Sequence, residues 1–136
     1  MTRDTLSGGS YRLEFDYQAP LLTVRLLGEV AAEKNLETTR EYWQHIADRV
    51  SACGADALLV LDALPGEVMG DADLVRFFNG MAGLGLDAVR IAYVEARADQ
   101  MPRIEYVEQL ALERGYRVRM FANEPEARLW LRYGGD

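Results

Sequence analysis

The chain has 136 residues, 49% hydrophobic and 27% charged, which fits one globular domain and excludes a largely disordered protein. Its 15 basic residues against 22 acidic ones give a net charge of −7, which disfavours binding to nucleic acid or to an anionic membrane surface. No apolar run approaches the roughly 18 residues needed to span a bilayer, and the N-terminus lacks the apolar core of a signal peptide. A cytoplasmic protein is the simplest interpretation.

The first part of the chain predicts a leader followed by a hairpin. Residues 1–10 are polar, and we expect them to form a flexible leader ahead of a single domain over 11–133. Residues 11–17 alternate apolar and polar side chains, which is typical of a half-buried strand. Residues 21–27 predict a second strand, and the short turn between the two indicates an antiparallel hairpin.

The middle of the chain predicts a helix, a buried strand and a second helix. Residues 36–53 place apolar side chains on one helical stripe. Residues 57–61 are a continuous apolar run, which is typical of a strand covered on both faces in a parallel sheet. After a loop over 63–70, we expect the second helix to open at Asp71 or Asp73.

The last part of the chain continues the alternation of strands and helices. Residues 89–94 and 116–121 predict strands, separated by a helix whose first turn suits Pro102. A final helix is expected to start at Asn123 or Glu124. The element order is β-β-α-β-α-β-α-β-α, and short links between strands and helices imply an α/β fold with a mostly parallel sheet and right-handed crossovers.

This element order resembles that of the STAS domains of anti-sigma factor antagonists. The end of the chain is similar to that family as well, because the strand is followed by Asn123-Glu-Pro-Glu-Ala127 and Leu129-Trp-Leu131, close to its "acidic, Ala, two residues, Trp-Leu" ending. The resemblance covers residues 11–133. It implies a right-handed superhelix of βα units with helices on one side of the sheet, and a non-enzymatic, regulatory protein-interaction module.

The resemblance also implies where a protein partner binds. In antagonist-type STAS domains, the helix after the third strand starts at Asp-Ser-Ser-Gly, whose second serine is phosphorylated to break partner binding. The matching residues are Asp71-Ala-Asp-Leu74, so Asp73 replaces that serine and cannot be phosphorylated. Its charge near a helix N-terminus is stabilised by about 0.3–1 kcal/mol, and simple helix capping is the alternative interpretation. The predicted partner-binding residues are Pro65, Gly66, Asp71, Asp73 and Arg76.

The other residues that could take part in catalysis or metal binding are better explained by structural roles. His45 lies beside the buried stripe of the first helix, which predicts a surface side chain. Cys53 lies on that stripe near a helix C-terminus, which disfavours a thiolate and indicates a small core residue. One histidine and one cysteine cannot supply a usual zinc site, and neither a nucleotide fingerprint nor a nucleophile elbow is present. We predict no cofactor, no metal and no enzymatic activity.

Two further hypotheses concern the partner. CRAL-TRIO domains, which resemble this fold class, hold apolar ligands, and the strand C-terminal ends are the usual ligand side of such folds. The residues that could line a pocket for a small lipid-like ligand are Met69, Phe77, Phe78, Met81 and Met101. Met and Phe at helical spacing are more often plain core. The other hypothesis is a homodimer formed through an exposed sheet face or the first predicted strand.

Overall fold

The structure is a computed structural model that describes residues 2–66 and 68–133. These residues form a six-stranded sheet whose strands lie side by side in chain order. The strands are β1 (Thr2–Ser7), β2 (Tyr11–Gln18), β3 (Leu21–Gly28), β4 (Ala57–Asp62), β5 (Arg90–Glu95) and β6 (Arg117–Phe121). The helices are α1 (Asn35–Cys53), α2 (Asp71–Met81), α3 (Met101–Glu113) and α4 (Glu124–Tyr133), with short 3-10 turns at Ala32–Lys34, Leu86–Ala88 and Ala98–Gln100.

The sheet begins earlier than the sequence predicts. Instead of a flexible leader over residues 1–10, Thr2–Ser7 forms β1 and pairs antiparallel with β2 along its whole length. An Arg49 guanidinium nitrogen on α1 lies 2.7 Å from a carboxylate oxygen of Asp4, which ties this strand to the first helix. The leader prediction is therefore wrong for this segment, while Met1 lies outside the described residues.

From β2 onward the predicted element order and the mostly parallel sheet are confirmed. β2 and β3 form the antiparallel hairpin, and β3, β4, β5 and β6 pair in parallel. Gly54 follows α1 with a φ of +70°, a conformation that glycine adopts without steric cost and that ends the helix. Because β2 lies between β1 and β3, the strand predicted to be the first offers no free edge to a second copy. Homodimerisation itself stays a prediction.

The helices are divided between the two faces of the sheet. The helices α1, α2 and α3 share one buried cluster with Leu58, Val60 and Ile91. On the opposite face, α4 packs its apolar stripe on the sheet, which corrects the expectation that all helices lie on one side. The buried residues of this second cluster are Leu59, Leu61, Ala92, Val94 and Ala127. Side chains of one strand alternate between faces, so β4 and β5 contribute to both clusters.

Candidate functional site

A cavity of about 520 Å³ lies between the sheet and the helices α1, α2 and α3. Its lining residues come from all three of these helices and from β4, β5 and β6. Its volume falls in the range of roughly 300–1,000 Å³ that is typical of small-molecule sites. The exposed residues Ala32, Pro65 and Gly66 line one end, so the cavity reaches the surface beneath the β4–α2 loop. The buried lining includes Phe77, Phe78, Met81, Leu86, Ile104 and Val118.

The wall formed by β5 changes from apolar to acidic along its length. Ile91, Tyr93 and Glu95 are alternate residues of this strand, and all three line the cavity. The register of the parallel pair places Asp62 of β4 opposite Glu95. Two carboxyl groups therefore stand side by side at the end of the cavity that lies beneath the loop.

Asp62 is fixed by two hydrogen bonds. The Leu64 backbone N–H donates to Oδ1 at 2.9 Å, and the Tyr93 hydroxyl donates to Oδ2. Burial raises the pKa of the Asp62 carboxyl above its ordinary value, although both hydrogen bonds favour the ionised form. Its two oxygens therefore have a set orientation at the end of the cavity.

Glu95 is only 5% exposed, which is rare for a glutamate. The Arg97 backbone N–H donates to its Oε1 at 3.0 Å. Within residues 2–66 and 68–133, no hydrogen bond or ion pair is made by its other oxygen, Oε2. Burial and the neighbouring charge of Asp62 raise the pKa of Glu95 to about 7.

Aromatic rings surround this acidic end. Tyr42 and Trp43 of α1 line the cavity from above, and the Trp43 ring stacks on Tyr93 with centroids 6.5 Å apart. Phe77 meets Trp43 edge to face at 6.4 Å. Burial, followed by the charge of Asp62, raises the pKa of both Tyr42 and Tyr93. Both phenols are therefore neutral hydrogen-bond donors at physiological pH.

The structure brings together most of the predicted apolar pocket. Met69, Phe77, Phe78 and Met81 line the cavity. Met101 is the half-buried first residue of α3 and is not among the lining residues. The binding of a ligand by these residues stays a prediction.

The loop between β4 and α2 is tied to residues 97–103, which follow β5. Its predicted partner-binding residues Pro65 and Gly66 are exposed, and Glu67 lies outside the described residues. The three contacts are Arg97 to the Gly66 carbonyl oxygen at 2.8 Å, the Val68 N–H to Gln100 Oε1 at 3.0 Å, and Arg103 to the Met69 carbonyl oxygen at 2.9 Å.

The first turn of α2 carries the two predicted aspartates. Asp71 is exposed, and its Oδ1 lies 2.9 Å from an Arg103 guanidinium nitrogen. Asp73 is half-buried and accepts a 2.8 Å hydrogen bond from the exposed Arg76. The N-cap residue is Gly70, so neither aspartate occupies the capping position. Asp73 also lines the cavity, so the predicted partner surface adjoins the cavity mouth.

The remaining candidates form no site. His45 and Cys53 are both half-buried on α1, and the Cys53 Sγ lies 3.8 Å from the Val50 carbonyl oxygen. In the part of the chain that the structure describes, no group of three or more His, Cys, Asp or Glu is placed to hold a metal ion. No described helix combines the length and apolar character needed to cross a membrane.

Four residues at the acidic end of the cavity, Tyr42, Trp43, Tyr93 and Glu95, are not predicted from the sequence patterns as site residues. A signal for the acidic pair is nevertheless present. The runs Ala57–Asp62 and Arg90–Glu95 are both mostly apolar, and both end in an acidic residue. Because parallel neighbours place their carboxyl ends at one edge of a sheet, this shared ending indicates that the two carboxyl groups lie close together.

Comparisons with known proteins support the fold. No protein-family model matches the chain, and neither does any curated protein. The structure of an anti-sigma factor antagonist from Mycobacterium paratuberculosis matches with a TM-score of 0.57 and 18% sequence identity, covering 93% of this chain and 99% of that one. At this identity the likeness concerns the fold alone. The chain has a STAS-like fold, as the resemblance in its sequence predicts.

Proposed function

We propose that this protein is a non-enzymatic regulatory module that binds a protein partner through the β4–α2 loop and the first turn of α2. Its fold is shared with a protein whose name describes an antagonist of an anti-sigma factor, that is, a protein that acts on another protein. The partner surface comprises Pro65, Gly66, Asp71, Asp73 and Arg76.

The observation that carries this proposal is an exposed loop held in place by its neighbours. Pro65 and Gly66 project to solvent, while side chains from residues 97–103 bond the backbone of the loop at three points. A loop that is already ordered loses less conformational entropy when a partner binds. The surface therefore suits recognition of another protein.

The charges of α2 suit partner selection rather than chemistry. Asp71 and Asp73 are paired with Arg103 and Arg76, and the pairs lie at the surface. Exposed charges of this kind steer association and discriminate between partners more than they add affinity. Among its described residues, this surface holds no Ser, Cys or Thr nucleophile beside a base, so we assign it no catalysis.

The test compares two charge reversals by affinity capture from lysate of the source cells, followed by mass spectrometry. Asp73→Arg alters the proposed surface, whereas Asp56→Arg makes the same charge change at an exposed site before β4, at the opposite end of the strands. We expect wild type and Asp56→Arg to recover the same partner, and Asp73→Arg to bind it roughly tenfold more weakly, equivalent to about 1.4 kcal/mol. Equal recovery by all three proteins would contradict the proposal.

A second candidate function is the binding of a small, largely apolar ligand. The observation that favours it is the cavity, which holds Met69, Phe77, Phe78 and Met81 on its wall. Native mass spectrometry of freshly purified protein tests it directly. We expect a bound mass that disappears on denaturation, and a protein that always carries its bare mass would count against this function.

A further inference from the structure

The two ends of the cavity require an occupant with two different parts. The deep end is apolar, with Phe78, Leu86 and Ile91 on its wall. The end beneath the loop holds the carboxyl groups of Asp62 and Glu95. Asp62 and Glu95 Oε1 already accept hydrogen bonds from the protein, but a wholly apolar molecule would cover Glu95 Oε2, which has no hydrogen-bond partner among the described residues, and this is costly. The occupant therefore needs an apolar body and a polar head.

The charges on the wall determine the sign of that head. The described lining residues include three carboxyl groups, those of Asp62, Asp73 and Glu95, and no Lys, Arg or His. Glu95 is buried, and its Oε2 makes no hydrogen bond within residues 2–66 and 68–133. An anionic head would meet like charge here, whereas a cationic head would supply the missing donor and the compensating charge.

The aromatic rings around the acidic end also favour a cationic head. Tyr42, Trp43 and Tyr93 line the cavity next to the carboxyl groups, and Trp43 and Tyr93 are stacked. The faces of aromatic rings attract cations, and cages of rings are the usual receptors for organic ammonium groups. Aromatic faces offer no such attraction to a carboxylate head.

We propose that the cavity binds a small organic cation with an apolar body. Its ammonium head lies beside Glu95 and Asp62 among the rings of α1 and β5, and its body lies between α2, α3 and the sheet. This inference rests on the second candidate function and names the chemical class of its ligand.

Three probes that differ mainly in the charge of the head measure how much the head contributes to binding. Octylamine, 1-octanol and octanoate each contain eight carbons in an unbranched chain, with a cationic, neutral or anionic head. Binding is measured by isothermal titration calorimetry at pH 8, where Glu95 is largely ionised. We expect octylamine to bind about tenfold more tightly than 1-octanol, with octanoate the weakest of the three.

A pair of matched variants locates the head. Glu95→Gln keeps the size of the side chain and removes its charge, whereas Glu105→Gln makes the same change at an exposed position on α3 outside the cavity. We expect Glu95→Gln to lose the preference for octylamine over 1-octanol, and Glu105→Gln to retain it. Thermal unfolding followed by circular dichroism confirms that both variants are folded.

The outcomes distinguish this inference from the function on which it rests. If the three probes bind equally well, or if Glu95→Gln retains the preference for octylamine, the cavity is a ligand site but the assignment of a cationic head beside Glu95 is wrong. If no probe binds, both the ligand-binding function and this inference fail. A preference for octylamine that requires Glu95 supports both.

Discussion

The two faces of the sheet use the same strands in opposite ways. Beneath α4, the small side chains of Ala92 and Ala127 let the helix approach closely, and neither residue has any exposed surface. Beneath α1, α2 and α3, alternate residues of the same strands line an open cavity that ends in Asp62 and Glu95. A single strand thus contributes to a closed core with one set of residues and to a candidate binding site with the other. The α4 face stabilises the fold, and the cavity face retains space at some cost in packing.

The largest expected effect on the free energy of unfolding comes from a Leu→Ala change made once on each face. Leu59 is fully buried beneath α4, and Leu86 is buried on the cavity wall. Leu→Ala changes cost about 2–5 kcal/mol, and the cost rises with the volume of the void that is left. We expect Leu59→Ala to fall near the upper end of that range and Leu86→Ala near the lower end, because Leu86 already borders open space. Urea unfolding measures both, and equal losses would contradict the contrast between the faces.

The second comparison adds atoms to each face, by enlarging one alanine, and its expected effect on stability is smaller. Ala127 is fully packed beneath α4, whereas Ala111 of α3 lines the cavity. Added methylene groups in a filled core cost about 1–3 kcal/mol. We expect Ala127→Leu to lose stability in this range and Ala111→Leu to change it by less than about 1 kcal/mol, since its new atoms enter open space. If Ala111→Leu proves the more damaging variant in urea unfolding, the cavity is not open.

The smallest expected effect is a dependence of stability on pH that originates on the cavity face. The pKa of Glu95 is raised from 4.5 to about 7 in the folded protein. Between these values the folded state keeps a proton that the unfolded state has lost, so the free energy of unfolding decreases as pH rises. Glu95→Gln should remove this decrease, by an amount of order 1 kcal/mol between pH 4.5 and 7.

Other titratable groups near Glu95 also contribute to the dependence of stability on pH. The titratable and charged groups that act on it or adjoin it are Asp62, Tyr42, Tyr93, Arg97 and Asp99. Asp62 has a raised pKa as well, so it contributes a decrease of the same sign that Glu95→Gln retains. Urea unfolding at several pH values is the measurement, and Glu105→Gln is the control. A pH profile that is unchanged in Glu95→Gln would show that Glu95 titrates normally.

The sequence predicts the elements of this fold better than their placement. The apolar run over 57–61 indicates a buried parallel strand because it leaves no polar face. β1 escapes prediction because Thr2–Ser7 contains one large apolar residue, Leu6, and is held mainly by backbone pairing to β2. The pattern of α4 shows that one side of the helix is buried but carries no information on which face of the sheet it covers.

The candidate site is less predictable than the fold for a different reason. Met69, Phe77, Phe78 and Met81 are identified by residue type and spacing. Glu95 depends on strand order and register, which place it opposite Asp62 although the two are far apart in the chain. The cavity itself is a property of how the helices pack, and periodic patterns of apolar residues do not distinguish a filled interior from one that contains space.

The most direct test of the difference between the two faces is a crystal structure of the protein with octylamine. We expect the alkyl chain between Phe78 and Ile91, and the nitrogen within about 3 Å of a Glu95 carboxylate oxygen, as in a charge-assisted hydrogen bond. The α4 face should remain closed. A cavity filled by its own side chains, or an amine bound only on the outer surface, would contradict the account.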